Sequence, residues 1–186
     1  MPHSPELGEQ PDTSTDQTQL HGVLIRVADV GVLLTGNSGI GKSECALELI
    51  EKGHQLVADD VVAITRTDDS VVGRSPALTF ELLEIRGLGI INVRQLFGDA
   101  AVLNESRIDL CIELSKDAEV DRLDGALGES CIAGCEIPQF VLPVNSGRNL
   151  STLVETAVRI FRQHDRGAGT AELLMQKHQN LLDSLS

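Results

Sequence analysis

Apolar and polar positions along the chain change period several times, and each change marks an element. From His21 the segment HGVLIRVADVGVLLTG carries two short runs rich in β-branched residues, Val23 to Val27 and Val30 to Thr35, separated by Ala28 and Asp29. Runs of this kind around a two-residue break predict two strands, joined as a hairpin. Residues 42–52 switch to helical spacing, with Ala46, Leu47, Leu49 and Ile50 on one side and Gly53 placed to stop the helix. HQLVADDVVAITR, residues 54–66, reads as a further strand interrupted by two acids, and TDDS after it has the composition of a turn.

The middle of the chain stays strand-rich. ALTFELLEIRGLGIINVRQLFG fits neither period, and strand, loop and short helix are expected over residues 77–98. RIDLCIEL (107–114) alternates as a strand, DRLDGALGES (121–130) is polar and Gly-bearing and reads as a loop, and CEIPQFVLPV (135–144) reads as a last strand. Beyond Gly147 the period becomes helical: Leu150, Leu153, Val154, Ala157, Val158 and Phe161 share a face, with Asn149 or Ser151 as N-cap. A second terminal helix is expected from about Thr170 to Leu182. The first twenty residues carry three prolines, four acids and no Lys or Arg, a composition expected to stay disordered. The expected organisation is an acidic leader over residues 1–20 and one α/β domain over 21–186, a mixed sheet followed by C-terminal helices.

Between the second strand and the first helix lies GNSGIGKSE, whose first eight residues (Gly36, Asn37, Ser38, Gly39, Ile40, Gly41, Lys42, Ser43) match G-x-x-x-x-G-K-[ST] in the strand-loop-helix setting that pattern requires. The glycines let backbone N–H groups turn inward, and the helix N-terminus adds its positive dipole end, so the loop suits a polyphosphate. Lys42 would reach the outer phosphates of ATP and Ser43 would bind Mg²⁺. Asp59 and Asp60 follow Lys42 by seventeen and eighteen residues, so one helix and one strand can bring them beside the loop. If strand pairing continues through them, one faces the site and the other away. A carboxylate beyond the γ-phosphate could take a hydroxyl proton, and one nearer the metal would bind Mg²⁺.

Composition removes other classes of function. A net charge of −13 with only 15 Lys and Arg offers no basic stripe for nucleic acid, and four Phe without Trp or Tyr leave few platforms for bases. No apolar run reaches the length of a membrane span, no secretory signal opens the chain, and a cytoplasmic setting is expected. Cys45, Cys111, Cys131 and Cys135 lack zinc-site spacing and are expected as reduced thiols.

Residues 21–60, from HGVLIRV to LVADD, together with LLEIRGLGIINV (82–93), resemble the catalytic domain of HPr kinase/phosphorylase, and the likeness runs through PVNSGRNL to about residue 162. The resemblance implies a core similar to phosphoenolpyruvate carboxykinase, a hexamer, and a shorter form without the usual N-terminal domain. It implies phosphorylation of a serine of the phosphocarrier HPr by ATP or pyrophosphate, reversed by inorganic phosphate. Carried over by position, Asp59 would be the general base, Asp60 and His21 would complete the site, Glu84 would assist the metal, and Arg86 would position phosphate. The family usually shows PVRPGRN where this chain has Asn145 and Ser146 before the retained Arg148. Losing a guanidinium there removes a fixed charge for incoming phosphate, so weakened phosphorolysis is expected. A kinase for another protein or small acceptor, and an ATP-sensing module without transfer, are the alternatives.

Overall fold

The computed structural model describes residues 18–68, 70–116, 127–144 and 149–165. Strand β1 (Thr18–His21) opens this part, so the last three residues of the expected leader are strand rather than disordered. Strands β2 (Val23–Val27) and β3 (Val30–Gly36) form the expected hairpin. Ala28 and Asp29 both have positive φ, at 47° and 70°, as a tight turn matched to strand twist requires. Helix α1 (Lys42–Glu51) follows the glycine loop and ends just before Gly53. The chain continues through β4 (Gln55–Ala58), β5 (Val61–Arg66), β6 (Val71–Arg74), β7 (Leu82–Ile85), β8 (Gly89–Asn92) and α2 (Val93–Phe97). It closes with β9 (Glu105–Arg107), β10 (Leu110–Ser115), β11 (Gly128–Ile132), β12 (Cys135–Pro143) and α3 (Leu150–Asp165).

The fold is α/β. A six-stranded sheet in the order β11-β12-β10-β3-β2-β4 is mixed: β10 runs parallel to both β3 and β12, while the other pairs are antiparallel. A four-stranded antiparallel sheet, β1-β5-β6-β9, and the β7-β8 hairpin complete it. Side-chain alternation sets the layers. Val23, Ile25, Val32 and Leu34 share one core with Ala46 and Leu49 of α1 and Val154 and Val158 of α3; Leu24 and Leu33, on the other face, share a second core with Val62, Ile64 and Val71. The central strands are thus covered on both faces, which is why β2 and β3 read as continuous apolar runs.

Four expectations change. The strand over 54–66 is two strands, because β4 pairs with β2 in the large sheet while β5 pairs with β1 and β6 in the small one. RIDLCIEL divides in the same way: β9 ends at Arg107 in the small sheet and β10 begins at Leu110 in the large one, with Asp109 accepting a hydrogen bond from the Gly31 N–H at the crossing. The loop expected between β7 and α2 contains β8, and the loop expected through Ser130 becomes β11 from Gly128 onward, paired along β12. The first two follow from pairing across the fold, which local pattern does not carry; the last two are local hairpins, β7-β8 and β11-β12, whose second or first strand was hidden by glycines and polar residues. The expected second terminal helix, and Asn145, Ser146 and Arg148, lie outside the described residues.

Asn149 is the N-cap of α3: its Oδ1 accepts from Thr152 N at 2.9 Å and from Ser151 Oγ at 2.6 Å. The start of α3 is also tied to the end of α1. Lys52 Nζ donates to Ser151 Oγ and Glu155 Oε2, both at 2.8 Å, and His54 Nε2 lies 3.2 Å from Glu155 Oε1. These donors, the lysine first, hold the Glu155 carboxyl below the usual carboxylate range. A depressed carboxyl pKa contributes stability above its unfolded value that is lost as pH falls through the folded one. Glu155→Gln should therefore melt about 2–4 °C below the parent at pH 7. The difference should begin to shrink as pH falls below the ordinary glutamate value of about 4.3 and vanish once the folded carboxyl is protonated; thermal unfolding followed by circular dichroism from neutral to acid pH reads both.

Candidate active site

The glycine loop folds back on its own lysine. Lys42 Nζ donates to Gly36 O at 2.9 Å and to Asn37 O at 3.1 Å, closing the loop around the ammonium. Two of its three N–H donors are used in this way, and the third is available to a phosphate oxygen. Burial pulls the lysine pKa down, and the charges of Asp59 and Asp60 act against that pull. Ile40 turns its side chain into the core, so its part in the loop is its backbone. Gly39 has φ of 72°, and a side chain there would collide with Nη2 of Arg86, which lies across the loop from the turn after β7.

Asp59 joins the loop to the β7-β8 hairpin. Its carboxylate is buried, at 5% exposure, and accepts from Ser43 Oγ at 3.0 Å through Oδ1 and from Glu84 N at 2.9 Å through Oδ2. Burial raises its pKa most; the Glu84 N–H and the Ser43 hydroxyl oppose the rise, and the neighbouring Asp60 charge adds to it. Asp60 has φ of 66°, a left-handed conformation that Asp tolerates better than most residues. The turn is held by Gly22 N on Asp60 O at 3.0 Å and Val61 N on Asp59 O at 2.8 Å. Asp60 Oδ1 meets His21 Nδ1 at 3.0 Å, with both side chains half exposed.

One cavity of about 320 Å³ gathers these groups. Ser38, Gly39, Gly41, Lys42 and Ser43 line it from the loop, His21, Asp59 and Asp60 from the small-sheet side, and Glu84 and Arg86 from the hairpin. The alternation expected of the two aspartates is overturned, because the chain changes sheets between β4 and β5 and its left-handed turn brings both to the same cavity. Sequence reasoning did not single out Glu44, which also lines the cavity from the first turn of α1; its position directly after Ser43 was the available signal. Gly36 and Asn37 act through the carbonyls that hold Lys42. All four cysteines are free thiols, and none lines the cavity. Among the described residues no helix is long and apolar enough to cross a membrane.

With this geometry in place, comparison with known proteins is decisive for kinship. The profile of the HPr Serine kinase C-terminal domain matches residues 12–178. The chain belongs to that family. An HPr kinase/phosphorylase of Geobacillus thermodenitrificans is 49% identical over 159 residues, covering 83% of this chain and 52% of the relative. One from Listeria welshimeri is 45% identical over 167 residues, covering 88% and 54%. The chain thus spans about half the length of the curated relatives it matches. The solved HPr(Ser) kinase/phosphatase from Coxiella burnetii superposes with a TM-score of 0.76 at 35% identity, over 84% of this chain and 98% of that one. The hairpin that carries Glu84 and Arg86 belongs to the second of the two stretches, 21–60 and 82–93, on which the sequence resemblance rested, and it forms one wall of the cavity.

The donor set suits Mg²⁺ held together with a nucleotide. No cluster of three or more His, Cys, Asp or Glu among the described residues would cage a metal alone. Mg²⁺ commonly takes one or two protein oxygens and completes its shell with phosphate and water. The Ser43 hydroxyl donates a hydrogen bond to buried Asp59, leaving its oxygen lone pairs free, and Glu84 lines the same cavity.

Proposed function

We propose that this chain is a serine kinase that moves the γ-phosphate of ATP to a serine of HPr or a closely similar phosphocarrier. The observation that carries the reading is the Ser43–Asp59–Glu84 link: one buried carboxylate fastens the phosphate loop to the hairpin, within the cavity that Lys42 enters. Lys42 and the loop N–H groups would hold the outer phosphates, with Ser43 and Glu84 as protein ligands for Mg²⁺. Bound there, the ion would neutralise charge on the phosphate oxygens. Asp59 is the proposed general base. Each of its oxygens keeps a second lone pair beyond the hydrogen bond it already accepts. The acceptor hydroxyl gives its proton to Asp59, its oxygen bonds to the γ-phosphorus, and the bond to the β–γ bridging oxygen breaks to release ADP. Asp60, positioned by His21, adds negative charge beside the base; Arg86, lying over Gly39, would hold the transferring group.

The test is incubation with HPr, Mg²⁺ and ATP, followed by intact mass. A gain of one phosphoryl group located on serine is expected, and no gain rejects the reading. Running phosphoserine-HPr with inorganic phosphate in the same assay should release pyrophosphate more slowly than the forward reaction, because Asn145 stands where the family has arginine; equal rates reject that part alone.

A pH profile tests the base. Burial raises the Asp59 pKa, so the acid limb of kcat/KM should lie above the ordinary aspartate value of about 3.9. Asp60→Asn removes one contribution to that rise, so the limb should move to lower pH whatever happens to the maximum rate. A limb that stays in place rules out Asp59 as the titrating base.

A further inference from the structure

We infer that Leu88 and Ile90, at the tip of the β7-β8 hairpin, form the surface on which the acceptor protein docks; the inference rests on the kinase reading above. Leu88 is 74% exposed and Ile90 69% exposed, two large apolar side chains two residues apart on the same hairpin. Their orientation is fixed. The turn from Ile85 to Leu88 is closed by Leu88 N on Ile85 O at 3.0 Å, and Gly87 at its third position has φ of 87°, as a type II turn requires.

Both residues adjoin the cavity. Leu88 stands between Gly87 and Gly89, which line it, and Ile90 pairs directly across the hairpin with Glu84, which also lines it. Residues opposite each other in a ladder share a face, so the Ile90 side chain lies beside the Glu84 carboxylate at the mouth. A phosphate loop serving a small acceptor would have no use for apolar side chains outside the cavity. A serine carried on a folded protein must bring its flanking surface against the mouth, and this hairpin is one wall of that mouth. Glu84, which is exposed, lies directly across the hairpin from Ile90, and exposed Arg86 stands two residues before Leu88, so the matching face is apolar beside the serine with polar groups of both signs at its edge.

The experiment is steady-state phosphorylation of HPr by the parent and by Leu88→Ser/Ile90→Thr, with ATP affinity from a nucleotide titration and mass from sedimentation. The expected result is a KM for HPr raised about 10-fold, with kcat at saturating HPr, ATP affinity and mass unchanged. Leu88→Met/Ile90→Val, which keeps the surface apolar, should retain the parental KM. An unchanged KM in the polar variant overturns the inference while leaving the kinase reading intact. A loss of ATP affinity overturns it too, since the pair would then act through the phosphate site, and a changed mass would show that a second copy of the chain covers this surface. A parent chain that phosphorylates no HPr rejects the kinase reading itself, and the docking surface with it.

Discussion

Lys42→Met should lower kcat/KM for ATP by about 10³-fold, about 4 kcal/mol of lost transition-state stabilisation, while the chain stays folded. The effect has two sources. On the proposed reading the ammonium would supply charge to the outer phosphates in a cavity lined by Glu44, Asp59, Asp60 and Glu84, leaving Arg86 as the remaining cation of the lining once Lys42 is replaced. It also sets the shape of the loop, because Nζ spans Gly36 O and Asn37 O. Methionine keeps the length and apolar stem but bridges neither carbonyl. Lys42→Arg separates the two sources: it restores the charge, but a planar fork cannot reproduce the point-like ammonium between two carbonyls, so most of the loss should remain. Nucleotide titration together with single-turnover transfer distinguishes them, and an arginine variant with parental activity would exclude the bridging role.

How far the site could be read in advance depended on the range of the forces that build it. The phosphate loop was legible because its demands are local: glycines where the backbone turns, a lysine placed to reach back, and a helix that begins at that lysine. The β2-β3 hairpin was legible for the same reason, since a two-residue turn fixes its register. The clamp on Asp59 was not. Its two partners come from α1 and β7, 16 and 25 residues away in sequence, and nothing at Leu83 or Glu84 announces that a backbone N–H will be given to an aspartate. The change of sheet at Asp59 and Asp60 was hidden because β4 and β5 share one apolar pattern, and a strand's choice of neighbour is a property of the whole fold. That hidden change is what brings both carboxylates into one cavity.

Asp59→Asn should lower kcat by at least about 10²-fold, about 2.7 kcal/mol, with ADP affinity in the absence of metal ions close to the parental value. Size hardly changes, but hydrogen-bond polarity does. The parental carboxylate accepts from both Ser43 and Glu84 N. An amide has one oxygen, and if that oxygen serves Glu84 N, its NH₂ group faces Ser43 and must donate to it. Ser43 then accepts from the amide, which uses one of its two lone pairs and turns its proton away from residue 59, so the substitution removes the proposed base and weakens one proposed metal ligand together. Loss of stability does not offer an alternative explanation. The carboxyl pKa is raised on folding, so its contribution to stability is present below the unfolded pKa and is lost as pH rises through the folded one. At neutral pH the buried charge therefore costs stability, and a neutral amide relieves that cost. A variant that melts near the parental temperature, binds ADP normally and transfers phosphate poorly would locate the defect in the chemistry. Parental turnover by the same variant would remove Asp59 from the mechanism, and with it the reason for linking the loop to the hairpin.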